Sequence, residues 1–168
     1  MRSKRMFSRI AGPAWLAAAA TLLLLATGAV AQPPAAPYLN AAPPPGMARI
    51  WFYRDLNPNE TVAMVYIRLN GAVAGVSEAG GAFYRDVAPG AYHISVDSYV
   101  QDRHNEADVV LAPGIEAYAK VLPLDDLVQG GGGAVGGGYR RNTFVVWLYP
   151  PAQGRAGVAR SYFTAGGS

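Results

Sequence analysis

Apolar and polar residues alternate over short stretches after residue 31, a pattern that favours half-buried β-strands over helices. Within residues 61–69 (TVAMVYIRL), Val65, Ile67 and Leu69 fall on one face, with Tyr66 and Arg68 on the other. Comparable stretches are ARIWFYR (48–54), AVAGVSE (72–78), AFYRDV (82–87), AYHISVDSYV (91–100), ADVVLAPG (107–114), EAYAKVLPL (116–124), TFVVWLYP (143–150) and a weaker SYFTA (161–165). No amphipathic helix is predicted after residue 31.

Turn signals separate these stretches. Asn70-Gly71 is a strong hairpin signal, because both positions of the favoured turn need positive φ. Gly80-Gly81 and Pro89-Gly90 predict further reversals, so residues 62–100 read as a meander, while Gly75 inside a strand predicts a bulge or a close backbone approach. The spacing predicts an all-β fold: an antiparallel β-sandwich of about seven to eight short strands, immunoglobulin-like or prealbumin-like.

The first 31 residues have the organisation of a secretory signal peptide. Four basic residues precede an uncharged apolar stretch, and Ala29-Val30-Ala31 supplies the small residues of a cleavage site, so we expect cleavage after Ala31. The alternative is an uncleaved membrane anchor, because about 18 apolar residues can span a bilayer. Residues 32–46 contain six prolines and predict an extended linker. Residues 47–168 are then the β-sandwich domain.

The charge and the cysteine content exclude several classes of partner and of chemistry. Four of the 14 Lys and Arg residues precede residue 32 and all 11 acidic residues follow it, so the exported chain has a net charge near −1. The basic overall charge therefore belongs to the targeting segment, and no nucleic-acid partner is expected. There is no cysteine. Disulfides, thiolate metal sites and a thiol nucleophile are excluded, and no lipid anchor is expected, since the lipid would need a cysteine.

Three motifs carry a family resemblance: ARIWFYR (48–54), VYIRLNGAVAG (65–75) and GGAFYRDVAPGAYHISV (80–96), followed by EADVVLAPGIEAYAKV (106–121). In this order they resemble the bacterial domain-of-unknown-function family number 2846, over about residues 47–122. The resemblance implies an exported or lipid-anchored β-sandwich of transthyretin-like or carboxypeptidase-regulatory-like appearance, without an established activity. The chain departs from it in lacking a lipidation cysteine, and no catalytic residue is carried over.

The glycine-rich segment 129–138 (QGGGGAVGGG) is the first candidate for chemistry. A phosphate-binding loop requires a Lys-Ser/Thr pair and a following helix, and neither is present. We interpret the segment as a hairpin loop, and we expect no cofactor.

An acidic stretch is a weak candidate for a metal site. Asp102, His104, Glu106 and Asp108 would share one face if the segment were extended, offering three carboxylates and an imidazole to a divalent cation. The alternative is a solvated loop. The pattern of an EF-hand calcium loop is absent.

A Ser/His/Asp trio also exists, because His93, Ser95 and Asp97 alternate along one strand. Side chains two residues apart on a strand lie about 7 Å from each other, too far for direct hydrogen bonds. A solvent-facing polar stripe is the better interpretation.

Aromatic residues are the remaining signal. Some of them alternate opposite the aliphatic face, and exposed aromatic rings on a sheet bind sugar rings or protein partners. The candidate surface consists of Trp51, Tyr53, Tyr66, Trp147 and Tyr149. The alternative is that both faces are covered and these rings belong to the core.

The sequence thus predicts an exported module of the bacterial cell envelope, periplasmic or secreted, with a non-catalytic binding or structural role. Its partner would be an envelope protein or a glycan, and the first strand, residues 48–54, could be an edge strand that pairs with a partner. The alternatives are a periplasmic glycan-binding module that uses exposed aromatics and a metal-dependent hydrolase built on residues 102–108. Contact with a membrane is expected only if the signal segment is uncleaved.

Overall fold

The computed structural model describes residues 32–97, 106–128 and 139–166. Within them lie a 3-10 helix (Ala36–Asn40), one α-helix, α1 (Pro151–Ala159), and nine strands. The strands are β1 (Ala48–Tyr53), β2 (Val65–Leu69), β3 (Ala72–Ser77), β4 (Gly81–Val87), β5 (Gly90–Val96), β6 (Ala107–Leu111), β7 (Glu116–Val128), β8 (Tyr139–Tyr149) and β9 (Tyr162–Phe163). The predicted signal peptide, the glycine-rich segment 129–138, Asp102 and His104 lie outside the described residues. The described residues contain no helix with the length and hydropathy needed to span a bilayer.

The strands form two sheets, and the predicted all-β sandwich is confirmed. Sheet A has the order β8-β7-β1-β4-β9, and sheet B has the order β3-β2-β5-β6. Most neighbours are antiparallel, but β1 pairs with β7 in parallel and β4 pairs with β9 in parallel. The two parallel pairings are possible because long connections separate β1 from β7 and β4 from β9 along the chain.

Two topological predictions were wrong. Residues 62–100 do not form a simple meander: β2 and β3 form a hairpin, but β4 crosses to sheet A, and β5 returns to sheet B to pair with β2. The first strand is not an edge strand either, since β1 lies between β4 and β7 and all six of its residues are buried. Its dense run of apolar residues is typical of a strand covered on both faces.

The predicted hairpin at Asn70-Gly71 and the predicted close approach at Gly75 are both present in the structure. Asn70 and Gly71 have φ values of 49° and 83°, as the two-residue hairpin between β2 and β3 requires. At Gly75 a Cβ atom would lie 2.7 Å from the ring of Phe83 and 2.6 Å from the carbonyl oxygen of Gly166. The predicted close approach is therefore real, and it lets the C-terminal segment lie against β3.

The main core lies between the two sheets and is built from the inward-facing residues of each. Ile50 and Phe52 of sheet A meet Ile67 and Ile94 of sheet B, and all four are completely buried. The rings of Phe52 and Phe83 stack with centroids 5.0 Å apart. This layer fixes the orientation of sheet A, so that the residues next in sequence point to its other face.

A second apolar layer covers that other, outer face of sheet A. Trp51, Tyr53 and Tyr118 pack there against Leu39 and Val158. Leu39 belongs to the proline-rich segment 32–46, which was interpreted as a linker and which lies directly on the sheet. Hydrogen bonds hold it there: Ala35 N–H donates to the Ser161 carbonyl at 2.9 Å.

Helix α1 was not predicted. It begins at Pro151, where a missing N–H costs nothing at the first helical position. Its buried face consists of Gly154, Gly157 and Val158. A Cβ atom on Gly154 would lie 2.2 Å from Cβ of Tyr118, and one on Gly157 would lie 2.3 Å from the ring of Tyr53. The helix thus packs through glycines, which leave no hydrophobic periodicity to detect.

Candidate functional site

The predicted aromatic surface is not a single surface. Trp51 and Tyr53 are 0% and 3% exposed, because α1 and the proline-rich segment cover the outer face of sheet A around them. Their assignment to an exposed ligand surface is therefore wrong. Tyr66 and Trp147 are 53% and 54% exposed. However, Tyr66 lies on β2 of sheet B and Trp147 on β8 of sheet A, so the two rings do not act together.

Trp147 has a defined polar neighbourhood on the outer face of sheet A. It lies directly opposite Lys120 in the pairing of β8 with β7, so the two side chains share a face. The Lys120 ammonium donates to Asp55 Oδ2 at 2.6 Å. It also lies 5.3 Å from the centroid of the Tyr149 ring.

We call the group formed by Trp147, Tyr149, Lys120 and Asp55 the Trp147 surface. Its parts differ in chemistry: Trp147 provides an apolar ring face, whereas Lys120 and Asp55 provide a donor and an acceptor joined by their ion pair. Tyr149 makes an edge contact with the buried Tyr53, with ring centroids 6.3 Å apart. A flat apolar ring beside fixed polar groups can bind a ligand that has both an apolar face and hydroxyl groups.

The two described residues of the predicted metal site bind a histidine instead. His93 Nδ1 lies 2.7 Å from Asp108 Oδ1, and His93 Nε2 lies 3.1 Å from Glu106 Oε2. The hydrogen bond with Asp108, aided by the negative charges of both carboxylates, raises the pKa of His93. Among residues 32–97, 106–128 and 139–166, no group of three or more His, Asp or Glu is arranged to hold a metal ion.

The trio of His93, Ser95 and Asp97 is not assembled as a catalytic relay. The Asp97 carboxylate binds Arg68 at two points, with distances of 2.7 Å to Nε and 3.0 Å to Nη2. This hydrogen bonding lowers the pKa of Asp97. Because His93 and Asp97 each bind another partner, Asp97 does not orient the imidazole.

A cleft lies beside α1, where the sequence indicated no site. It has a volume of about 580 Å³ and is formed by the proline-rich segment, the turn before β7 and the first turn of α1. Its polar groups are Glu116, Tyr118 and Arg155, with Asn40 at the side. Its other lining residues are mainly apolar: Leu39, Ala42, Pro43, Ile115, Pro151 and Ala152.

The cleft's polar groups interact with one another. The Tyr118 hydroxyl donates to Glu116 Oε2 at 2.6 Å, and Arg155 Nη1 lies 3.6 Å from the same oxygen. Burial, together with the hydrogen bond to Glu116, raises the pKa of Tyr118 to about 12, so the hydroxyl remains a donor. Sequence reasoning missed this site because it depends on α1 and on the packing of the proline-rich segment.

Comparison of the chain with protein-family models, curated proteins and solved structures finds no match. The resemblance to the bacterial family described above therefore stays a prediction drawn from the motifs themselves.

Proposed function

We propose that the chain is a non-catalytic binding module of the bacterial cell envelope, periplasmic or secreted, and that its ligand is a glycan. In this proposal residues 1–31 direct export and are cleaved after Ala31. The β-sandwich serves as a rigid frame, and the ligand binds on its outer surface. Support comes from the sequence pattern of the first 31 residues and from the Trp147 surface.

The observation that carries the proposal is the exposure of Trp147. Its side chain is 54% exposed, although the other tryptophan of the exported chain, Trp51, is completely buried. An indole ring left in solvent beside an ordered ion pair forgoes the burial that would favour it in the core. The C–H face of a sugar ring can stack on such an indole while its hydroxyl groups bind Lys120 and Asp55.

A binding role also accounts for the ionic groups outside the core. Arg68 is bound to Asp97, and His93 to Asp108 and Glu106. Each of these groups is engaged with a partner of opposite charge, which suits a stable surface better than acid–base chemistry. We therefore assign them to the scaffold.

Tryptophan fluorescence tests the proposal on the exported chain. Trp147 is open to iodide quenching and Trp51 is shielded, so a ligand that stacks on Trp147 should reduce quenching. Soluble peptidoglycan fragments and neutral polysaccharides are the probes. The variant Trp147→Ala lacks this reporter, so the affinities of the variants are measured by isothermal titration calorimetry. We expect Trp147→Ala to weaken binding at least about tenfold, or ~1.4 kcal/mol, because it removes the stacking ring.

Tyr66→Ala is the matched control, because Tyr66 is equally exposed but lies on sheet B. The proposal is wrong if the two variants lose the same affinity for the glycan, or if no glycan of the panel binds. Crosslinking in the intact envelope from position 56, an exposed position next to Asp55, examines the other type of partner. A protein adduct there that survives glycan digestion and is lost in Trp147→Ala would replace the glycan with an envelope protein.

A further inference from the structure

We infer that the cleft between the proline-rich segment, the turn before β7 and α1 binds the acetamido group of an N-acetylated amino sugar. The inference rests on the proposed glycan-binding function and names the class of sugar. The cleft lies at the β7 end marked by Glu116, whereas the Trp147 surface lies farther along β7, at Lys120.

The Glu116–Arg155 pair is the feature that points to a ligand. Its closest N–O distance is 3.6 Å, whereas the pairs Arg49–Asp86 and Arg68–Asp97 both have closest distances of 2.7 Å. At 3.6 Å the pair is too long for a good hydrogen bond. A carboxylate acceptor and a guanidinium donor thus lie side by side with hydrogen-bonding capacity that each can offer to a third group.

A secondary amide matches this arrangement. Its N–H can donate to the Glu116 carboxylate while its carbonyl oxygen accepts from Arg155. Both of these hydrogen bonds involve a charged partner, which makes them stronger than hydrogen bonds between neutral groups. An acetamido group carries a methyl beside its carbonyl carbon, and the apolar walls, with Leu39, Pro43 and Ile115, can receive it.

The polar groups are positioned before any ligand arrives. The Tyr118 hydroxyl holds the Glu116 carboxylate, and Arg155 Nη2 donates to the carbonyl oxygen of Leu39 at 2.7 Å. Because these bonds already fix both side chains, little conformational entropy is lost on binding. Glu116 is largely buried, with 17% of its side chain exposed, which limits competition from water at the carboxylate, whereas Arg155 is 47% exposed.

Charge distinguishes the acetylated sugar from its free amine. The floor of the cleft carries one negative and one positive group, so it favours a neutral ligand. An ammonium group near Glu116 would also approach the Arg155 guanidinium, and like charges at that range repel. The volume of about 580 Å³ falls within the range of small-ligand sites and can hold one or two sugar rings.

Amide NMR shifts of the exported chain, titrated with N-acetylglucosamine, glucosamine or glucose, test the inference. We expect N-acetylglucosamine to cause saturable shifts at residues 114–118 and 152–155, and at least tenfold weaker effects from the other two sugars. Glu116→Gln and Arg155→Gln should each weaken binding about tenfold. Arg160→Gln, an exposed arginine at the other end of α1, should leave it unchanged.

Several outcomes would overturn the inference: no saturable shift in the cleft, equal binding of glucose, or equal loss in Arg160→Gln. Stronger binding of N-acetylalanine methylamide than of the sugar would overturn it in favour of a peptide ligand. Unfolding of a variant is detected by the dispersion of its NMR spectrum, and Arg155→Lys then provides a second test, since it keeps the charge and loses the planar donor pair. If glycan binding depends on Trp147 and no residue of the cleft shifts, this inference alone is wrong. If the cleft binds the sugar and binding does not depend on Trp147, the Trp147 proposal alone is wrong.

Discussion

Arg49 of β1 and Asp86 of β4 form a two-point ion pair beneath the proline-rich segment. Arg49 Nε and Nη2 donate to the two carboxylate oxygens at 2.7 and 3.0 Å, and Nη1 donates to the carbonyl oxygen of Ala41 at 2.6 Å. The guanidinium also lies 3.9 Å from the centroid of the Tyr84 ring. One arginine therefore joins two strands and the segment that covers them.

Removing its partner should destabilise the fold. Arg49 is 3% exposed, so Asp86→Ala leaves a buried charge without a carboxylate, and we expect a loss of about 2–4 kcal/mol in the free energy of unfolding. Urea denaturation measures it. Asp97→Ala breaks a pair of the same geometry on the exposed face of sheet B and should cost much less. Equal losses would contradict the role given to burial.

Glycine in α1 should resist replacement. On helix propensity alone, Gly154→Ala would stabilise an exposed helix by about 1 kcal/mol. Here the new methyl would overlap Cβ of Tyr118, so we expect destabilisation and a lower melting temperature. Gln153→Ala at the exposed neighbouring position is the control and should change stability little. An unchanged or raised melting temperature in Gly154→Ala would show that α1 does not pack as described.

The proline-rich segment should contribute to stability through Leu39. Its side chain is 6% exposed, and Leu39→Ala should cost about 2–3 kcal/mol in the free energy of unfolding. In a Trp147→Phe background, acrylamide quenching of Trp51 should rise at the same time, because the segment covers the layer to which Trp51 belongs. Leu56→Ala, at a position 69% exposed, serves as the comparison and should have neither effect.

His93 should titrate above its ordinary pKa of about 6.5. Because the folded-state pKa is raised, its contribution to stability is complete below the ordinary value and is lost as pH rises through the folded value. We expect stability to fall over that interval in the natural chain and to change less in His93→Gln. An NMR titration in a His104→Gln background isolates the His93 signal. Asp108→Asn should lower the His93 pKa, and an unshifted pKa would show that the hydrogen bond is not formed.

The sequence pattern predicted those features of the fold that depend on residues close to one another in the chain. The strands, the Asn70-Gly71 hairpin and the close approach at Gly75 were all predicted from neighbouring residues. The assignment of strands to sheets was not, because β1 pairs with β7 across more than sixty residues and no local pattern records that pairing. Trp51 and Trp147 illustrate the same limit: both lie in alternating stretches, yet only α1 and the proline-rich segment decide which ring is covered.

The hydrogen bonds between residues 33–35 and 161–163 have a consequence for the order of folding. Phe163 N–H donates to the Pro33 carbonyl at 2.6 Å, and Ala35 N–H donates to the Ser161 carbonyl at 2.9 Å. The first and last described stretches of the chain thus meet, and sheet A cannot be completed until its final strand is available. Pairing across such sequence distance slows folding. A chain still emerging from a ribosome would lack this closure, and sheet A stays incomplete until residues 161–163 have been released.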